Sequence, residues 1–102
     1  MNKITTLSEY ENLKSSSDKF VIKVSASWCN PCKALAATIN TFDDEIKNLF
    51  VEVDVDEASE ELVNQLRVRN VPVLIFYKDG QEVNRFVGAK MKEDILAIIK
   101  RM

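Results

Sequence analysis

The sequence predicts an α/β domain: a central mixed five-stranded sheet flanked by four helices, in the order β-α-β-α-β-α-β-β-α. Three observations predict it. Short β-forming runs alternate with stretches whose apolar residues recur at helical spacing, which implies parallel strands joined by helices. The run Val73 to Tyr77 is followed by Asp79-Gly80, a hairpin signal, so the last two strands are antiparallel. The 102 residues contain no repeat, low-complexity tract or linker. That length suits one domain, taken as 1–102, and is enough to bury a core without covalent staples.

Each element has a local reason. Ile4 to Thr6 is expected as a short first strand. Thr6 and Glu9 fit a capping box that opens a helix to about Ser15, with Leu7, Tyr10 and Leu13 inward. Ser15 to Asp18 is a polar loop. Lys19 to Ser25 is the second strand, apolar enough to be buried on both faces. A helix is expected from about Pro31 to Lys47, because Leu35, Ile39, Phe42 and Ile46 fall on one face. Pro31 suits its first turn, where a missing N–H costs nothing. Leu49 to Asp54 is the third strand and Glu57 to Leu66 the next helix, with Leu62, Val63 and Leu66 apolar. Val73 to Tyr77 and Glu82 to Val87 form the hairpin. Lys92 to Arg101 closes the chain as a helix with Ile95, Leu96, Ile98, Ile99 and Met102 on one face.

Composition narrows the function. Sixteen acids face fourteen bases and the signs are mixed along the chain. There is no basic patch, so nucleic acid is not an expected partner. No apolar run approaches the ~20 residues of a membrane span, and no membrane partner is expected. Met1 to Thr6 lacks the apolar core of a signal peptide, so a cytoplasmic location is expected. Histidine is absent, which removes Cys-His hydrolysis and any histidine-containing zinc site.

The chemistry centres on Trp28-Cys29-Asn30-Pro31-Cys32-Lys33, which holds both cysteines and the only tryptophan. Two intervening residues put the two sulfurs together within one helical turn. The pair sits where a strand hands over to a helix, and free N–H groups at a helix start stabilise a thiolate. Cys29, expected to lie nearer solvent, is the candidate nucleophile, and Cys32 is the candidate resolving thiol. Two plainer readings exist. A buried inert pair does not account for the spacing after a strand. A zinc site would need a second cysteine pair, which the chain lacks. Trp28 is either a core tryptophan or a shield for the sulfur that offers substrate an apolar contact. Pro72 is tolerated at a strand start with no functional meaning. Gly88 either ends a strand or permits close approach by a partner.

These residues resemble the thioredoxin family. Ser25 to Cys29 is similar to the family's lead-in, and Val51 to Asp56 to its third strand. Asn70-Val71-Pro72-Val73 resembles the stretch before its fourth strand, Lys78-Asp79-Gly80 its hairpin, and Phe86-Val87-Gly88-Ala89 its fifth strand. The resemblance runs from about residue 20 to residue 89 in order. It implies the thioredoxin fold and a protein-disulfide reductase that carries electrons by dithiol–disulfide exchange, with Cys29 and Cys32 cycling through a disulfide. It implies no cofactor and no metal. The partners implied are oxidised protein substrates and a thioredoxin reductase or an equivalent donor, with the chain itself a monomer. A thioredoxin-like binding subunit, or a dedicated donor to one enzyme, is the alternative.

The resemblance also assigns a groove. Trp28, Asn30, Pro31, Val71, Pro72 and Gly88 would bind substrate. Pro72 matches the family's cis proline beside the active-site cysteines, and the Val71 backbone would pair with an extended substrate. Asn30 departs from the commoner glycine, and asparagine suits a helix start. Ala37 stands where family members often carry a mid-helix proline, so a straighter helix is expected.

Lys23 is the sharpest departure. It matches the family's buried aspartate behind the second cysteine, while Glu52 matches a nearby lysine, so the two charges are exchanged. Either the strand register slips and Lys23 faces solvent, or Lys23 and Glu52 pair beneath the cysteines. In the second case Glu52 or water becomes the proton relay. A charged Lys23 then favours the Cys32 thiolate and makes the couple more oxidising than is usual in the family.

Overall fold

The computed structural model describes residues 1–102. One five-stranded sheet runs through the molecule, in the spatial order β1-β3-β2-β4-β5. β1 (Asn2–Lys3) and β2 (Lys19–Ser25) flank β3 (Phe50–Asp54), all three parallel. β4 (Val73–Lys78) lies antiparallel to β2, and β5 (Gln81–Val87) antiparallel to β4. Five helices, not four, cover the sheet: α1 (Leu7–Ser16), α2 (Asn30–Ile39), α3 (Asp44–Lys47), α4 (Glu60–Leu66) and α5 (Lys92–Arg101).

The extra helix comes from a break in the stretch expected to run unbroken to Lys47. The Thr41 hydroxyl donates to the Thr38 carbonyl at 2.6 Å, and Thr41 N–H donates there too. Side-chain bonds of this kind compete with the helical ladder. The chain turns at Asn40, and Asp43 starts α3 by accepting N–H bonds from Ile46 and Lys47. Phe42 is still buried, so the apolar spacing was right and the continuity was not.

Two boundaries moved for the same kind of reason. β1 lies at Asn2–Lys3, not at 4–6. Ile4 N–H still bonds Glu52 O at 3.0 Å, but the N–H groups of Thr5 and Thr6 are taken by the Glu9 carboxylate. The capping box therefore pulls the chain off the sheet. α4 begins at Glu60 because Ser59 caps it, its hydroxyl accepting from Leu62 N–H. Before that, Glu57 and Ala58 donate to Asp54 O in a turn.

Strand side chains alternate between two cores. Val73, Ile75 and Tyr77 of β4 join Phe20, Ile22 and Val24 of β2 under α1 and α4. Leu74 and Phe76 join Val21 and Phe50 under α2 and α5. On this second face the strands change character along their length. Val21 is followed by Lys23 and Ser25, and Phe50 by Glu52 and Asp54, each two residues on and so on the same face. The apolar core thus gives way to a polar end, and α2 starts above that end.

Candidate active site

The β2–α2 junction places the cysteines. Cys29 has extended backbone (φ −94°, ψ 109°) and is the N-cap of α2. Its sulfur accepts the Cys32 N–H at 3.2 Å, and Pro31 stands in the first turn. Helix start and sulfur are thus joined by one bond, which favours negative charge on Cys29. The two cysteines form a disulfide, with Cα atoms 5.3 Å apart. Cys29 was expected to lie nearer to solvent than Cys32. In this oxidised state it is 5% exposed and Cys32 2%, because both pack against Ala26 with Val55 and Val71 alongside.

Trp28 is not a core residue: it is 68% exposed, and its indole N–H donates to an Asp56 carboxylate oxygen at 3.0 Å. The ring is thereby held at the surface next to the buried sulfur. Asp56 was missed in sequence, and nothing in its spacing would have marked it. Asn30 and Pro31 are both exposed beside the disulfide.

Across from them, the Val71–Pro72 bond is cis, the isomer the resemblance implies. Pro72 is buried and Val71 packs on the cysteine cluster. The Val71 backbone makes no hydrogen bond within the chain, so its N–H and C=O are free to pair. Gly88 N–H donates to Pro72 O at 2.8 Å, which ties the end of β5 to this segment. Gly88 has φ +91°, and a Cβ built there would meet nothing within 4 Å. Glycine is needed there for conformation, and the space above it is open.

Beside Cys32 lies a cavity of about 330 Å³ that opens to solvent. Lys23, Glu52, Ser25, Asp54 and Cys32 line it, with Lys3 and Lys33 at its sides. Lys23 does not face solvent: the residue is 2% exposed and in register with Glu52 on the neighbouring strand. Its ammonium lies 3.0 Å from Glu52 Oε2, and the Ser25 hydroxyl donates to the same oxygen at 3.0 Å. Lys3 reaches the other oxygen at 3.9 Å. Burial pushes the Glu52 carboxyl up. The bond and charge of Lys23, then Ser25 and Lys3, outweigh it and hold the group below the usual carboxylate range. Ser25 was not singled out in sequence, although its place two residues after Lys23 on a strand puts it on the same face.

Comparison with known proteins agrees with this geometry. The Thioredoxin family profile matches residues 2–101. Thioredoxin-2 of Saccharomyces cerevisiae is 40% identical over 91 residues, which covers 87% of this chain and 86% of the relative. Among solved structures, oxidised mitochondrial thioredoxin 3 of Saccharomyces cerevisiae superposes with a TM-score of 0.88 at 32% identity, covering 100% of this chain and 95% of that one. A chain from a study of thiol resolution in a yeast mitochondrial 1-Cys peroxiredoxin, through the glutathione and thioredoxin systems, has a TM-score of 0.89 at 30% identity. The shares covered are again 100% and 95%.

Proposed function

This chain belongs to the thioredoxin family, and from that premise we propose how its residues divide the work of reducing protein disulfides. The reaction is dithiol–disulfide exchange through Cys29 and Cys32. The Cys29 thiolate attacks one sulfur of a substrate disulfide. The other substrate sulfur leaves with the electron pair and takes a proton. Cys32 then attacks Cys29, the mixed disulfide breaks, and the second substrate thiol departs. Two electrons have passed to the substrate, and the chain is left with its own disulfide. The observation that carries the assignment is the bond from Cys32 N–H to Cys29 Sγ at the start of α2. It makes Cys29 the better nucleophile, and Cys32 sits deeper.

The substrate class is an extended segment of an oxidised protein. Trp28 offers an apolar wall, Asn30 and Pro31 the exposed helix start, and the Val71 backbone an edge for strand addition. Pro72 and Gly88 hold that edge open. A reductase restores the dithiol, so the chain acts as an electron carrier. It works as a monomer, with residues 1–102 forming one domain around one sheet. The paired cysteines suit a reducing compartment such as the cytoplasm. No helix is long and apolar enough to cross a membrane. The intact Trp28-Cys29-Asn30-Pro31-Cys32 favours a working reductase over a silent binding subunit, because a scaffold does not need both sulfurs.

Trapping tests the division of labour. Cys32→Ser should accumulate a mixed disulfide with a model protein disulfide, and peptide mapping should place it on Cys29. Cys29→Ser should trap nothing and lose all acceleration over dithiothreitol. An adduct on Cys32, or an active Cys29→Ser variant, would reverse the roles.

A further inference from the structure

We infer that Lys23 is a positioning residue for the resolving step: pinned by Glu52, which Ser25 holds in turn, its ammonium stabilises Cys32 as a thiolate, so no carboxylate has to take the Cys32 proton. The inference rests on the exchange through Cys29 and Cys32 given above, and concerns only how its second half is made ready.

Four observations carry it. The Lys23 side chain is 3% exposed and shares a cavity with Cys32. A buried ammonium persists only when paired, and Glu52 supplies the pair at 3.0 Å. The carboxylate is in turn fully engaged: one oxygen accepts from Lys23 and Ser25, and the other lies near Lys3. So well stabilised an anion is a poor proton acceptor from a thiol, whose ordinary pKa is ~8.5. Finally, the charges lining the cavity are unequal. Lys3 of β1, Lys23 of β2 and Lys33 of α2 stand against Glu52 and Asp54 of β3, and Asp54 already accepts the Asp56 N–H. Lys3 is bonded by Glu57 at 3.2 Å, so the cations left to meet a negative charge arising on Cys32 are Lys23 and the adjacent Lys33.

The step balances without a further group. The Cys32 thiol loses its proton to water, for which the cavity has room. The thiolate attacks Cys29 Sγ in the mixed disulfide. The bond from Cys29 to the substrate sulfur breaks, and that sulfur leaves with the electron pair and is protonated by water. Stabilising the thiolate stabilises the reduced chain, which makes the couple more oxidising.

Opposite signs make the test. In a Cys29→Ser background Cys32 is the one thiol left, and ultraviolet absorbance of the thiolate, measured against a Cys29→Ser/Cys32→Ser blank, follows it with pH. Lys23→Met should lower the thiolate fraction at fixed pH by about tenfold, a shift of about one pKa unit. Glu52→Gln should raise it, since the Cys32 thiolate is then the counter-charge that keeps the buried Lys23 ammonium paired. With both cysteines present, redox equilibration against glutathione should move oppositely in the two variants, Lys23→Met toward a more reducing couple. If Lys23→Met does not fold, comparing the Lys23→Met/Glu52→Gln double variant with Glu52→Gln isolates the same charge. Shifts of the same sign, or none, overturn the inference. Mixed-disulfide trapping on Cys29 does not depend on this charge, so a failure of the exchange itself would appear there instead.

Discussion

The Glu52 carboxylate is held by an ammonium and a hydroxyl on one oxygen, with a second ammonium near the other. Its folded pKa lies below the ordinary value, so the folded state favours the ionised group. That contribution is full above the unfolded carboxylate pKa and is lost as pH falls through the lower folded pKa. Glu52→Gln should therefore unfold more readily at neutral pH, because Lys23 loses its pair. It should also show a shallower loss of stability in acid than the parent chain. Urea melts across the acid range check this, and parallel acid limbs would show that Glu52 is not coupled to folding. Sequence alone suggested the Lys23–Glu52 pair but left register slippage open. Only strand pairing could decide it, because a shift of one residue sends every side chain to the other face. Asp56 was out of reach, since its bond to Trp28 joins two loops 28 residues apart.

At the scale of elements, turns with a chemical signature were legible and helix continuity was not. Asp79 and Gly80 both have positive φ, +52° and +79°, the geometry of a tight hairpin turn and the one that Asp-Gly announces. β4 and β5 meet at the residues flanking it. Gly80→Ala should cost about 1–2 kcal/mol from the left-handed backbone. The new Cβ would also lie 3.2 Å from the Lys14 carbonyl, tighter than ordinary contact. Denaturant melts should show the loss with reductase activity retained, since the turn lies at the other end of β4 from Pro72. A neutral substitution would show that the turn relaxes. The break between α2 and α3 escaped notice because Leu35, Ile39, Phe42 and Ile46 keep a helical period through it. Periodicity reports which residues are buried and says nothing about whether one helix carries them all. The break is written in Asn40 and Thr41, two weak helix formers, the second bonding back to the backbone.

The whole molecule is one sheet with a separate core on each side, and the active site sits where one of those cores turns polar. Alternation along β4 explains the two faces, since Leu74 and Phe76 part from Ile75 and Tyr77. The order of strands across the sheet could not be read that way. It depends on which crossovers pass over which face, and the strand pairing of the folded chain shows it. Two cores divided by a sheet should respond independently. Leu66 is buried under α4 on one side and Ile99 under α5 on the other, and the two belong to different clusters. Leu66→Ala should cost about 2–5 kcal/mol and Ile99→Val about 0.5–1.5 kcal/mol. With no shared partner, the double variant should equal their sum within about 0.5 kcal/mol. The Cys29 thiol should titrate alike in all three reduced proteins, because neither residue lines the cysteine cluster. Coupling larger than about 1 kcal/mol in equilibrium urea unfolding would mean that the sheet transmits strain between its faces. The polar cavity beside Cys32 could then not be treated apart from the packing that surrounds it.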